Sequence, residues 1–141
     1  MTEMQLPPLE KQEVELLADF RYQIRKFLRF SENVTRKAGI TPLQYLMLLN
    51  IKGYPGREWA TIGELAERLQ AQHHGVVALV SRCEKQGFVE RRRSTEDRRR
   101  IEVRLLPKGE EYVAMLAGEH RKQLIALNGR FRVPTAESFK R

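Results

Sequence analysis

Between Thr61 and Leu105 the spacing of apolar residues switches from helical to alternating, and no other feature constrains the chain as much. Thr61-Ile62-Gly63-Glu64 reads as a capping box, in which the threonine hydroxyl and the glutamate carboxylate satisfy each other's backbone N–H groups. It opens a short helix through Leu65-Ala66-Glu67-Arg68-Leu69, and Gln70-Ala71-Gln72 connects this to a second helix over about His73 to Gln86. Val76, Val80 and Cys83 mark the inner face of that second helix, and Gly87 stops it. Two short helices joined tightly are the sequence form of a helix-turn-helix. Phe88 to Arg91 then reads as a short strand, and Arg100 to Leu105 alternates polar and apolar residues. Together they predict an antiparallel hairpin with Ser94-Thr95-Glu96-Asp97 at its tip.

Helices flank this unit on both sides. Leu17, Phe20, Ile24, Phe27 and Val34 recur at three- and four-residue steps, with Ser31 in one slot, and predict a helix from about Leu9 to Lys37. A helix that long in a small chain rarely finds an intrachain neighbour for its whole length, so its stripe suits a second copy, although packing within one subunit is the other use for it. Gly39 ends it. Thr41-Pro42-Leu43-Gln44 caps the next helix, Pro42 to Lys52, which is apolar nearly all round and is expected to be buried on most sides. Beyond the hairpin, a helix from Pro107 carries Val113, Leu116, His120, Leu124 and Leu127 at helical spacing, and the basic tail from Gly129 is expected to be poorly ordered without a partner. The expected organisation is therefore an N-terminal dimerisation helix over 1–38, a DNA-binding unit over 39–105, and a C-terminal dimerisation helix and tail over 106–141. The fold class is mainly α with a small β-hairpin wing.

Charge points to the partner. The chain of 141 residues carries 26 lysines and arginines against 18 acids, a net charge of +8. Six arginines fall between Arg91 and Arg100 (Arg91, Arg92, Arg93, Arg98, Arg99 and Arg100), against Glu96 and Asp97 within the same stretch. Such a cluster repels itself until a row of phosphates approaches. A solvated loop that aids solubility is the bland alternative. Arginine suits a narrow minor groove, so Arg98 and Arg99 near the tip are the candidates for insertion.

The second helix of a helix-turn-helix lies in the major groove. Here its N-terminal half offers Gln72, His73, His74, Val77 and Ala78 to base edges, and Arg82 to a phosphate or to Asp97 of the wing. Gly75 costs helix stability, and either a close approach to DNA or steric need within the chain would account for it.

Several other classes find no support. The single cysteine, Cys83, excludes an intrachain disulfide. No apolar stretch is long enough to cross a bilayer, and the acidic N-terminal residues do not suit a signal peptide, so the expected location is the cytoplasm. His73, His74 and His120 have no metal-ligand spacing, and no hydrolase or phosphate-loop motif occurs. Neither catalysis nor a cofactor or metal is expected.

ELAERL (Glu64 to Leu69), GFVERR (Gly87 to Arg92) and EDRRRIEVRLLPKGEE (Glu96 to Glu111) together resemble a MarR-type transcriptional regulator, as does TPLQYLMLL (Thr41 to Leu49). The family pattern is met at Asp97, Arg98, Arg99, Val103, Leu105, Lys108 and Gly109, with Asp97 as wing anchor. Leu106 departs from it where threonine is usual, and Cys83 stands where leucine is usual. The resemblance implies a bacterial or archaeal homodimer on a palindromic operator of double-stranded DNA, often a repressor released by a small aromatic or phenolic ligand. Leu17, Phe20, Ile24, Phe27, Leu116, His120 and Leu124 would line the dimer interface, and Phe30, Tyr45, Met47 and Trp59 are the bulky candidates for a ligand pocket. Two other readings stay open: a winged-helix protein-interaction module, and a nonspecific architectural DNA-binding protein.

Overall fold

The computed structural model describes residues 6–127 and 129–139. Five helices and a three-stranded sheet follow in the order α1 (Lys11–Lys37), α2 (Pro42–Lys52), β1 (Trp59–Ala60), α3 (Ile62–Leu69), α4 (His73–Lys85), β2 (Val89–Arg93), β3 (Ile101–Leu105) and α5 (Pro107–Leu127). A 3₁₀ turn at Ala136–Phe139 lies in the tail. The expected poorly ordered tail thus contains a local element, and Phe131 reaches back to Phe20 of α1 with ring centroids 6.0 Å apart.

Local chemistry sets the boundaries. Thr41 and Gln44 close the capping box of α2 with bonds of 3.0 and 3.1 Å, and Thr61 and Glu64 close that of α3 with bonds of 2.9 and 3.2 Å. Gly39 and Gly87 end α1 and α4 in the left-handed region, at φ of 83° and 80°, where a side chain is costly. In the turn of the helix-turn-helix the left-handed position falls to Gln70, a non-glycine residue at φ 51°. Its side-chain amide donates to the Glu67 carbonyl at 2.7 Å, a local bond that favours this geometry.

The sheet has one strand more than the alternating pattern predicts. β1 pairs antiparallel with β3, setting Trp59 opposite Arg104, and β3 pairs with β2 from Val89↔Leu105 to Arg93↔Ile101. A two-residue strand is too short to show a period, so in the sequence it looks like loop. The core gathers Met47, Leu48 and Ile51 of α2, Leu65 of α3, Val76, Val80 and Cys83 of α4, Val89 and Val103 of the hairpin, and Leu116 of α5. α2 runs through its centre, but its burial is not all round: Leu43 and Leu46 stay exposed on the face away from the sheet. Gly109 lets α5 approach the hairpin, since a Cβ there would stand 2.2 Å from the Phe88 carbonyl oxygen.

Candidate nucleic-acid interface

The outer face of α4 presents the expected base-reading set. Gln72, His73, His74, Val77, Ala78 and Arg82 are all exposed, while Val76, Leu79, Val80 and Cys83 face the core. Gly75 has nothing within 4 Å of the position its Cβ would take, so crowding within the chain does not account for it. Gln72 stands at the N-cap without a side-chain bond to the helix.

The six wing arginines separate into two groups. Arg91 is held by Glu84 of α4, with its backbone N–H 3.0 Å and its guanidinium 2.5 Å from the carboxylate, and it also donates to Ser81 at 3.1 Å. It ties β2 to the recognition helix. Arg100 donates to Ser94 Oγ at 2.9 Å and to Glu102 at 3.3 Å. Arg92 pairs with Glu90 at 2.5 Å, and Arg93 donates to the Arg98 carbonyl at 2.5 Å. Arg98 and Arg99 are exposed at the tip, and among the described residues their guanidinium groups form no hydrogen bond or ion pair. Arg91, Arg92 and Arg100, expected to grip phosphate, are thus engaged by carboxylates of the chain itself.

Counting acids only between Arg91 and Arg100 hides this, because Glu84, Glu90 and Glu102 lie just outside that stretch in sequence and beside it in space. Ser94 also escapes the sequence reading. It is buried, and its hydroxyl accepts from the N–H groups of Glu96 (3.2 Å) and Asp97 (3.1 Å) as well as from Arg100, which folds the tip. Its place at the end of an arginine strand, just before Thr-Glu-Asp, was the available signal. Asp97 accepts from the Arg99 N–H at 3.0 Å and so anchors its own loop, with no Arg82 partner.

Glu102 is the buried carboxylate of the hairpin, 2.6 Å from the Arg104 guanidinium. Burial alone pushes its pKa up, but the hydrogen bonds and charges of Arg104 and Arg100 outweigh that and leave it below the ordinary carboxylate value. Glu64 behaves alike: burial raises its pKa, and bonds from Thr61, Tyr54 and Arg57 bring it below the ordinary value.

The four ligand-pocket candidates do not meet in one place. Tyr45 lines an apolar cavity of about 770 Å³ between α1, α2 and α5, together with Phe27, Leu46, Leu49, His120 and Leu124. Met47 is sealed in the core, Trp59 lies at the wing, and Phe30 packs edge-on against the His120 ring but lines a different groove, beside Tyr22 and Arg25. Met47 falls elsewhere because residues two apart on a helix point about 200° apart, so it faces away from the Tyr45 side of α2. His120, stacked on Tyr45 at 4.8 Å and bonded to Ser31 at 2.8 Å, is the polar group that sequence reasoning left out of this cavity.

Of the expected dimer-interface residues, Leu17 and Leu124 are exposed and Phe20, Ile24 and Phe27 half-buried. Leu116 and His120 are buried inside the single chain, where core packing and the Ser31 bond already occupy them.

A capped helix-turn-helix backed by a three-stranded sheet with an arginine hairpin defines the winged helix-turn-helix class. Within it, residues 38–100 match the family model described as MarR family, and this segment is a MarR-family domain. The HTH-type transcriptional repressor MdtR of Bacillus subtilis is 31% identical over 91 residues, 64% of this chain and 56% of that protein. The chain thus spans about half the length of the curated relatives it matches. A MarR family protein from Bacillus stearothermophilus superposes with a TM-score of 0.75 at 24% identity, over 89% of this chain and 86% of the other. The S. aureus MepR F27L mutant bound to an oligodeoxyribonucleotide superposes at 0.61 with 20% identity, over 84% and 83%.

Proposed function

We propose that this chain is a sequence-specific DNA-binding transcriptional regulator, a repressor that acts as a cytoplasmic homodimer on a palindromic operator. The observation that carries this reading is the pairing of an exposed polar face on α4 with two unengaged arginines, Arg98 and Arg99, at the wing tip. α4 enters the major groove through Gln72, His73, His74, Val77 and Ala78, and the tip reaches the flanking minor groove. The remaining wing arginines shape the hairpin or add to the field around it. A relative named as a transcriptional repressor and a structural neighbour bound to an oligodeoxyribonucleotide support the same reading.

In this account 1–38 and 106–141 supply the pairing surface and 39–105 the DNA contacts. The cavity beside Tyr45 and His120 receives a small aromatic effector that releases the operator. The chain performs no catalysis. No helix among the described residues is long and apolar enough to cross a membrane.

The reading is tested by titrating the protein on promoter and scrambled duplexes at several salt concentrations. Replacing Arg98 and Arg99 with alanine is expected to weaken binding and to lower the salt slope by about 0.9 for each phosphate no longer neutralised. Equal affinity for both duplexes would instead favour a nonspecific DNA-binding protein, and weak binding with little salt dependence an interaction module.

A further inference from the structure

We infer that Trp59 is a positioning residue for the wing: with Arg57 and Arg100 both over its ring, its indole fixes where Arg98 and Arg99 stand relative to the recognition helix. The inference rests on the DNA-binding reading above and assigns that reading a residue that acts through the arginines of the wing.

Trp59 is the only tryptophan of the chain. The Arg57 guanidinium carbon lies 3.8 Å from its ring centroid and that of Arg100 lies 4.6 Å away, with Arg104 at 6.0 Å. A cation near an indole face is attracted by the ring quadrupole. Arg100 Nε is buried and has no hydrogen-bond partner among the described residues, so the indole is the remaining neighbour that can compensate this part of the guanidinium.

Both neighbours of the ring are anchored, in different elements. Arg57 pairs with Glu64, the residue that caps α3, and Tyr54 donates to the same carboxylate at 2.7 Å. Arg100 accepts at its carbonyl from the Ser94 N–H at 2.9 Å and donates its own N–H to the Asp97 carbonyl at 3.0 Å, so it closes the loop that carries Arg98 and Arg99. A continuous path therefore runs from the first helix of the helix-turn-helix, through Arg57, Trp59 and Arg100, to the wing tip. The backbone does little of this work, since β1 is only two residues long. Beside the ring a space of about 220 Å³, bordered by Arg93, Ser94, Arg100 and Glu102, leaves room for the hairpin to pivot once the indole is gone.

The test is a duplex titration of Trp59→Leu against the parent chain, each also carrying Arg98→Ala and Arg99→Ala in a second pair. W59L is expected to bind roughly tenfold more weakly, with a shallower salt slope, and W59F, which keeps a ring face, to retain most of the affinity. In the Arg98→Ala, Arg99→Ala background W59L is expected to add less than about a twofold loss, because the residues it positions are already absent. A general loss of folded structure would instead lower affinity by the same factor in both backgrounds. That result, or unaltered binding by W59L, overturns the inference while leaving the DNA-binding reading intact. A parent chain that fails to bind DNA at all refutes the reading beneath it. Should W59L not fold, Arg57→Gln removes one of the cations over the ring, and the same pair of backgrounds decides, with an expected loss of about threefold in the parent alone.

Discussion

The winged region and α1 use similar apolar content to opposite ends. In α2, five of 11 residues are buried, and they serve as the floor on which α3, α4 and the sheet assemble. In α1, only Glu13 and Thr35 of 27 residues are buried, and Leu16, Leu17 and Leu28 stand exposed. Both helices are capped and both have a clear boundary glycine, so local chemistry does not separate them. The difference is whether another element of the same chain covers the stripe. The winged region and α5 close one core between them, and α1 leaves several leucines of its apolar face exposed in the single chain.

Three experiments press on that contrast. The largest effect is expected from Leu48→Ala, which empties a fully buried site at the centre of the winged region and should cost about 2–5 kcal/mol, read from denaturant unfolding. A destabilisation below about 1 kcal/mol there would mean that the core is far looser than its packing indicates. A smaller effect is expected in acid. Glu102 and Glu64 are held below their ordinary pKa in the folded chain, so their stabilisation is complete above the unfolded value of about 4.3 and is lost as pH falls through the depressed folded value. Trp59 emission, reporting on the wing, should change in that range before the helical signal does, and Glu102→Gln should flatten the transition. Simultaneous loss of both signals would erase the distinction between regions. The smallest effect on the fold is expected from Leu17→Glu with Ile125→Glu, within about 0.5 kcal/mol for the single chain, because both sites are exposed. The same pair should shift the mass in analytical ultracentrifugation from dimer to monomer, and an unchanged mass would assign the stripe another purpose.

Much of the architecture was readable from the residues alone, for physical reasons that can be named. The boundaries of α2 and α3 follow from capping boxes, which depend on residues three apart and need no tertiary information. The inner face of α4 follows from the spacing of Val76, Val80 and Cys83. What the sequence hid was set by contacts between distant segments. Trp59 looks like a loop aromatic until β3 pairs with it. Glu84 and Arg91 are seven residues apart, across a helix end and a turn, and only the fold makes them partners. The free status of Arg98 and Arg99 has the same origin, since it depends on where the folded chain places the acids nearest the tip. Phe30, Met47 and Trp59 lie apart from the cavity beside Tyr45 because hydrophobic bulk says that a side chain will be covered, but not which cavity or core will cover it.

One buried atom offers a clock for the interior. The Cys83 thiol is fully enclosed beneath the Gln44 amide, 3.8 Å from its nitrogen, and burial pushes its pKa up. With the reactive thiolate both scarce and shielded, a thiol reagent can reach it only when the seam between α2 and α4 parts. As the chain has no other cysteine, the slow incorporation of one label per molecule would count those partings directly. Any ligand that tightens the seam would register as a longer interval between them.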